Sequence, residues 1–291
     1  MLNTGFSKQK VFAIRLKIQT KELTNKVVNH NPLKIMKALK IILIAPLLLF
    51  AISCKKTTVT SAVTTDEAAD MAASAVATNS FGFASVTDNV GLNAQTLNNS
   101  VSAGGQQVNA IGSSRQACGT TLADSLTISS AANSSVTFSA FYKYVRTLNC
   151  NTSSQPDNLV NTITFKGNFD GPRLTSTDAG TSSITIAGLT ANATNFIING
   201  TYNRKGSFTS KVGGKPSGSS NVTITATNVL LSKPGREILS GSATITISGS
   251  AAAGTFNYTG ILIFKGSNQA TLTVGTTVYL INLLTGTYTK Q

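Results

Sequence analysis

Two aspartates, Asp170 and Asp178, are the first candidates for chemistry in this chain. If they lie on the two strands of one hairpin, one carboxyl group can serve as acid and the other as base, as in a glycoside hydrolase. However, Asp170 precedes Gly171 in a turn-forming pair, and Asp178 ends a strand-like run. We therefore name no catalytic residue, and a carboxylate-based hydrolase stays an alternative function.

The chain offers little else for catalysis or for binding a metal. Its only histidine is His30 and it has no tryptophan, so residues 55–291 lack the commonest general base and transition-metal ligand. The sequence also contains no phosphate-binding loop, no calcium loop and no nucleophile elbow. We therefore predict no enzymatic activity, no metal site and no cofactor.

Cys118 and Cys150 are two of the three cysteines. In an oxidising compartment such a pair forms a disulfide, which stabilises the fold by about 3–4 kcal/mol on the chain-entropy estimate. The alternatives are two free buried thiols, or a metal pair that needs further ligands. We predict the disulfide.

The third cysteine, Cys54, follows a short cationic stretch and an apolar run. Lys37 and Lys40 precede the unbroken run 41–52, which is shorter than the roughly 20 residues of a spanning helix. Its length fits the apolar region of a secretory signal. The segment Ala51-Ile52-Ser53-Cys54 resembles the lipobox of bacterial lipoproteins, although Ala51 replaces the usual Leu. The alternatives are an ordinary signal peptide with a chance cysteine, or a buried apolar helix.

As a whole, the chain resembles lipoproteins of Bacteroidota to which no activity is assigned. The resemblance implies a signal peptide over residues 36–53 and a Cys54 that carries fatty acyl chains such as palmitate. It also implies an anchor that faces the periplasm, because Lys55 and Lys56 stand where surface-exported lipoproteins carry acidic residues, and it implies the outer membrane, because no Asp follows Cys54. We expect translation to start at Met36, so that residues 1–35 are a gene-model extension.

Net charge does not indicate a nucleic-acid partner. The formal charge is +14, but nine of the 24 Lys and Arg residues lie in residues 1–54, where Glu22 is the one acidic residue. The other basic residues are scattered singly along the chain, whereas a nucleic-acid footprint is clustered. The expected partners are the membrane, through the lipid anchor, and an unknown envelope protein or glycan.

Residues 54–117 precede a change in pattern at Cys118. We predict a tether over 54–64, then a short helix and a polar linker over 65–117, with the helix at Thr65–Asn79 and Thr65 as its cap. Over 118–291, apolar and polar residues alternate with period two, which indicates strands with one solvated face. The turns are predicted at Asp170-Gly171, Lys205-Gly206, Gly213-Gly214, Pro234-Gly235, Gly249-Ser250, Gly266-Ser267 and Gly275-Thr276.

The predicted fold is therefore all-β, an antiparallel meander that forms a sandwich or a (half-)barrel, with one short N-terminal helix. The favoured function is a lipid-anchored envelope protein with a non-catalytic binding or structural domain. Besides the hydrolase, the alternatives are a periplasmic carrier of an apolar ligand in a curved sheet and an outer-membrane β-barrel. Asp124-Ser125-Leu126 also resembles a short O-glycosylation sequon, which makes Ser125 a candidate modification site.

Overall fold

The computed structural model describes residues 61–98 and 116–291. Several sequence predictions fall outside those ranges and stay predictions. They are the extension at 1–35, the signal peptide at 36–53, the lipidated Cys54, residues 55–60 of the tether and residues 99–115 of the polar linker.

Eleven strands make up most of the described chain. Each strand pairs antiparallel with the next one in sequence, so the order in the sheet is the order in the chain. The strands are β1 (Thr121–Ser129), β2 (Thr137–Cys150), β3 (Pro156–Asp170), β4 (Leu174–Ala187), β5 (Asn195–Ser210), β6 (Ser217–Ser232), β7 (Ile238–Ala251), β8 (Gly254–Gly266), β9 (Gln269–Val274), β10 (Thr277–Asn282) and β11 (Tyr288–Lys290).

The strands form a single curved sheet. Arg173, in the turn between β3 and β4, donates a hydrogen bond to the hydroxyl of Tyr288 in β11 at 3.1 Å, although seven strands separate them in the sheet order. Among the described residues no ladder joins β1 to β11, so the sheet is not closed. The predicted all-β antiparallel meander is confirmed. Of the predicted forms, a sandwich or a (half-)barrel, the open half-barrel matches a single sheet that is not closed.

Helix α1 (Thr65–Val76) begins with a capping box. The hydroxyl of Thr64 accepts a hydrogen bond from the backbone N–H of Glu67 at 3.2 Å, and the Glu67 carboxylate accepts the Thr64 N–H at 2.8 Å. The predicted helix is therefore present, but its cap is Thr64 and not Thr65, because only Thr64 has the extended backbone that points its hydroxyl at this N–H. Val63 is already buried, so the predicted tether ends before residue 63.

Helix α2 (Phe83–Asn98) lies where a polar linker was predicted. A 3-10 turn (Thr78–Ser80) connects it to α1. Its serine, threonine, asparagine and glycine residues are weak helix formers, which is why composition alone favoured a linker. The helix forms because one stripe, spaced three and four residues apart, is fully buried: Phe83, Val86, Val90 and Ala94.

Both helices pack on one face of the sheet, which we call the inner face; the opposite one is the outer face. The alternate residues of each strand that point to the inner face join the helices in one apolar core. Phe83 of α2, for example, stacks on Phe264 of β8 and meets Tyr202 of β5 edge-on, with ring centroids 6.0 and 6.5 Å apart. The concave side of the sheet is therefore filled by the protein's own helices.

Two of the predicted turns are wrong, because both dipeptides lie within strands. Lys205-Gly206 is in the middle of β5, and Gly249-Ser250 is near the end of β7. A Cβ on Gly206 would lie 2.0 Å from the carbonyl oxygen of Thr177, and a Cβ on Gly249 would lie as close to that of Ser219. These glycines therefore permit a close approach of neighbouring strands and do not mark chain reversals.

The predicted disulfide between Cys118 and Cys150 is confirmed, with 5.6 Å between the two Cα atoms. It joins the chain just before β1 to the last residue of β2. β1 lies at the edge of the sheet and pairs only with β2, so the disulfide adds a covalent link where the ladder has one neighbour.

Candidate functional site

Arg204 is a buried cation that joins the helices to the sheet. Its side chain, on the inner face of β5, is only 3% exposed, and Nη2 lies 2.6 Å from Oδ2 of Asp178 on β4. Nη1 donates to the carbonyl oxygens of Ser74 in α1 and Ser80 in the 3-10 turn, at 3.0 and 2.8 Å. Because the last carbonyls of a helix lack helical partners and carry partial negative charge, Arg204 satisfies the end of α1.

Phe81, between the 3-10 turn and α2, contacts two strands that are far apart in the sheet, β2 and β5, and also contacts Arg204. Its carbonyl oxygen accepts hydrogen bonds from the hydroxyls of Tyr142 on β2 and Tyr202 on β5, at 3.1 and 3.2 Å. Its ring centroid lies 4.2 Å from Cζ of Arg204, which is a cation–π distance. Burial raises the pKa of Tyr142 to about 12, so this hydroxyl keeps its proton and remains a donor.

Two further arginines, which lie in the connections between strands, bind side chains of the helices. Arg173 forms a two-point contact with Asp70 of α1, from Nε at 2.6 Å and from Nη2 at 3.2 Å. Burial nevertheless raises the pKa of Asp70, because loss of water outweighs the attraction to Arg173. Arg236, between β6 and β7, donates from Nε to Asp88 of α2 at 2.8 Å and from Nη1 to Gln95 at 3.1 Å.

The first turn of α1 is held by side chains of the last two strands, β10 and β11. The Asp66 carboxylate accepts a hydrogen bond from the Tyr279 hydroxyl at 2.6 Å and one from Lys290 at 3.0 Å. These two donors hold the pKa of Asp66 below its ordinary value. The Tyr288 hydroxyl donates to the backbone carbonyl of Asp66 at 3.0 Å.

The carboxylates on the helices therefore have structural partners and do not converge on a common cleft. Asp66 and Asp70 are linked through Arg173 and Tyr288. Asp88 contacts Arg236, and Asp178 contacts Arg204. In the ranges 61–98 and 116–291, no three His, Cys, Asp or Glu side chains are grouped so that they could hold a metal ion.

Asp170 and Asp178, the pair considered for acid and base, point to opposite faces of the sheet. Asp170 is the last residue of β3 and is exposed on the outer face, where it forms an ion pair with Lys211. Asp178 is buried on the inner face of β4 beside Arg204. Since the sheet lies between them, the two carboxyl groups cannot act on one bond.

The candidate modification site Ser125 is an exposed outer-face residue in the middle of β1, opposite Lys143 of β2. Its neighbours Asp124 and Leu126 point to the inner side, and Asp124 forms an ion pair with Arg146 at 2.6 Å. The hydroxyl of Ser125 is thus accessible, whereas the flanking residues of the sequon are half-buried.

The outer face is the surface left for a partner, and hydroxyl and amide side chains run across it in rows. Residues that pair directly in the ladders share a row, with about 4.8 Å between neighbouring strands. One row crosses seven strands, from β2 to β8, and is exposed or half-buried throughout: Lys143, Thr164, Thr181, Asn203, Thr223, Thr246 and Thr259. The threonines of this row thus belong to the solvated face.

Charge on the outer face is of one sign between the strand ends. In the described strands β2–β8 it carries four lysines, Lys143, Lys166, Lys205 and Lys265, while the acidic Asp170 lies at a strand end beside Lys211. Phe141, which is 40% exposed, pairs directly with Lys166. This surface can donate and accept hydrogen bonds along its rows and offers a weak positive field, with one aromatic ring beside it.

Sequence reasoning missed Arg204, Phe81 and the three other basic residues that hold the helices. Arg204 interrupts the polar alternation of β5 at an inward position, two residues after the inward Tyr202. A charged residue at an inward position signals a buried ion pair, since a lone buried charge is very costly. That signal was available, but the identity of its partner, Asp178, was not.

The described part of the chain thus combines an inner face filled by helices with a polar outer face. Neither α1 nor α2 is long and apolar enough to cross a bilayer. No protein-family model, no curated protein and no solved structure matches this chain.

Proposed function

We propose that this chain is a lipid-anchored protein of the cell envelope, held in the outer membrane by Cys54 and facing the periplasm. Its β-domain is a non-catalytic binding or structural module. One observation supports this above all: the outer face presents rows of hydroxyl and amide groups, while the inner face is filled by α1 and α2. An apolar cargo could enter the concave side only by displacing helices that Asp70, Asp88 and Arg204 hold in place.

A glycan is the partner that best fits the outer face. Rows of Thr, Ser and Asn side chains can exchange hydrogen bonds with sugar hydroxyls, and they repeat across seven strands as a polymer requires. Phe141 supplies an apolar ring for the face of a sugar, and Lys166 beside it attracts any acidic group on the glycan.

The lipid anchor is tested by replacing Cys54. We expect the wild type to be processed and to fractionate with the outer membrane, whereas Cys54→Ala accumulates as the uncleaved precursor, because the acylated thiol is lost. Ser61→Ala, a change at an exposed residue, is the control and should behave as wild type.

Protease added to intact cells should leave a periplasm-facing protein uncut. Membrane-bound Cys54→Ala without a precursor would contradict the anchor.

The glycan contact is tested on the anchored protein with isolated cell-wall sacculi. We expect Phe141→Ala combined with Lys166→Ala to weaken co-sedimentation about tenfold, because the ring and the neighbouring charge are lost together. Ile197→Ala, which removes an equally exposed apolar side chain from the outer face of β5, is the matched control. Equal retention of the wild type and the double variant would contradict this contact.

A further inference from the structure

An apolar patch interrupts the polar rows near the edge of the sheet. Ile261 and Ile263 point outward from β8 and are 53% and 43% exposed. Thr273 and Thr271 of β9 pair with them, and the half-buried Val278 and Leu280 of β10 complete the two rows. Apolar side chains that cluster on a surface in this way mark a contact site for a protein or a membrane. We call the residues Ile261, Ile263, Val278 and Leu280 the β8–β10 patch.

Strand β8, which carries Ile261 and Ile263, also holds the N-terminal segment where it joins the domain. Val63 is buried, and its carbonyl oxygen accepts a hydrogen bond from the hydroxyl of Tyr258, which is also on β8. Ile261 follows Tyr258 by three positions along the strand, which corresponds to about 10 Å. The segment after the tether is therefore held by the strand that carries the patch, with Tyr258 on the inner face of β8 and Ile261 on its outer face.

The tether is short enough to bring this strand to the membrane. Residues 55–60 join Cys54 to Ser61, the first described residue. A fully extended chain spans at most about 3.6 Å per residue, so the chain from Cys54 to Ser61 can span no more than about 25 Å. A bilayer that holds Cys54 is thus within reach of the patch.

Charge near the patch also suits a phospholipid surface. Lys265 is exposed on the same face of β8, two positions beyond Ile263. A lysine near a bilayer with anionic headgroups is attracted to that surface. Apolar side chains flanked by lysines are the combination that binds in the interfacial layer of a bilayer.

We propose that the β8–β10 patch rests on the bilayer in which Cys54 is anchored. This orients the domain so that β8–β10 face the lipid, while the outer face of β2–β5 stays free for a partner. The inference rests on the proposed lipid anchor, which supplies the bilayer, but it makes a separate statement about which surface touches it.

Tryptophan fluorescence can test the contact, because the chain has no tryptophan of its own. Lipidated Ile261→Trp protein is reconstituted into vesicles of phosphatidylethanolamine and phosphatidylglycerol with brominated acyl chains. We expect at least about twofold quenching and a blue-shifted emission, because the side chain enters the interfacial layer. Val145→Trp is the matched control, since Val145 is 36% exposed on the outer face of β2 and should stay unquenched.

Each outcome has one meaning. Quenching of Ile261→Trp but not of Val145→Trp supports the contact. Unquenched Ile261→Trp in vesicles that carry the protein on flotation overturns the patch and leaves the lipid anchor intact. Unquenched Ile261→Trp with cross-linked pairs of copies also overturns it, because a second copy then covers the patch. Failure of the protein to float with the vesicles overturns both the anchor and the patch.

Discussion

Asp178→Leu is expected to lower the free energy of unfolding by about 3–5 kcal/mol, because it leaves Arg204 buried without its counter-ion. Both side chains are almost inaccessible, at 3% and 2% exposure, so water cannot replace the lost carboxylate. The remaining partners of Arg204 are carbonyl and hydroxyl groups, which solvate a cation less well than a carboxylate does. Urea unfolding followed by circular dichroism measures the change.

Asp170, at the end of β3, and Lys211, just after β5, provide the matched control. They also form an aspartate–cation pair, but their side chains are 56% and 40% exposed. Asp170→Ala should therefore change the free energy of unfolding by less than about 1 kcal/mol. If Asp178→Leu costs no more than Asp170→Ala, the buried pair does not contribute to the fold as proposed.

A double replacement shows whether the cost comes from the unpaired charge. Arg204→Met alone removes the donor to the Ser80 carbonyl and to the Asp178 carboxylate, and one of the two donors to the Ser74 carbonyl, so it should also be strongly destabilising. Asp178→Leu combined with Arg204→Met should be less destabilised than the sum of the single variants, by about 2–3 kcal/mol, since neither charge is then left alone. Strict additivity would mean that the two residues act independently.

The strands of this fold could be predicted because their signal is local. In β2, the inward positions Phe138, Tyr142 and Tyr144 alternate with outward Ser139 and Lys143, and the structure places them as the pattern indicates. Cys118 and Cys150 could be paired because no third cysteine follows Cys54. Glycine was the misleading signal: Gly206 and Gly249 suggested turns, but their lack of a side chain serves strand contact.

The filling of the concave face could not be predicted, because it depends on contacts between distant parts of the chain. Asp70 and Arg173 are 103 positions apart, and Asp88 and Arg236 are 148 apart, so no local pattern relates them. The period of two shows which residues of a strand are buried, but it does not show what covers them. The stripe of Phe83, Val86, Val90 and Ala94 did carry a helical period, which the polar composition around it concealed.

These contacts also explain why α1 and α2 belong to the domain even though the sheet makes up most of it. An open curved sheet would expose its inner aromatic residues, including Tyr142, Phe165 and Tyr202, to solvent. The helices cover them with apolar side chains and with the backbone carbonyl of Phe81, which satisfies two tyrosine hydroxyls. The helical segment is therefore the second layer of the core.

Phe83→Ala is expected to destabilise the protein by about 3–5 kcal/mol, because it removes a fully buried ring from the contact between α2 and the sheet. The ring stacks on Phe264 and meets Tyr202 edge-on, so two aromatic contacts are lost with it. Ile197→Ala is the control, since Ile197 is 37% exposed on the outer face, and we expect a change within about 0.5 kcal/mol.

A comparison of Phe83→Ala with the wild type also distinguishes a filled core from a carrier of apolar ligands. An apolar space left by Phe83→Ala should bind a small apolar molecule such as benzene, which raises the melting temperature of the variant because it binds only the folded state. The wild type, in which the ring occupies that space, should show no such rise. If apolar ligands stabilise the wild type as much as the variant, the concave side accepts cargo, and the carrier function replaces the structural module.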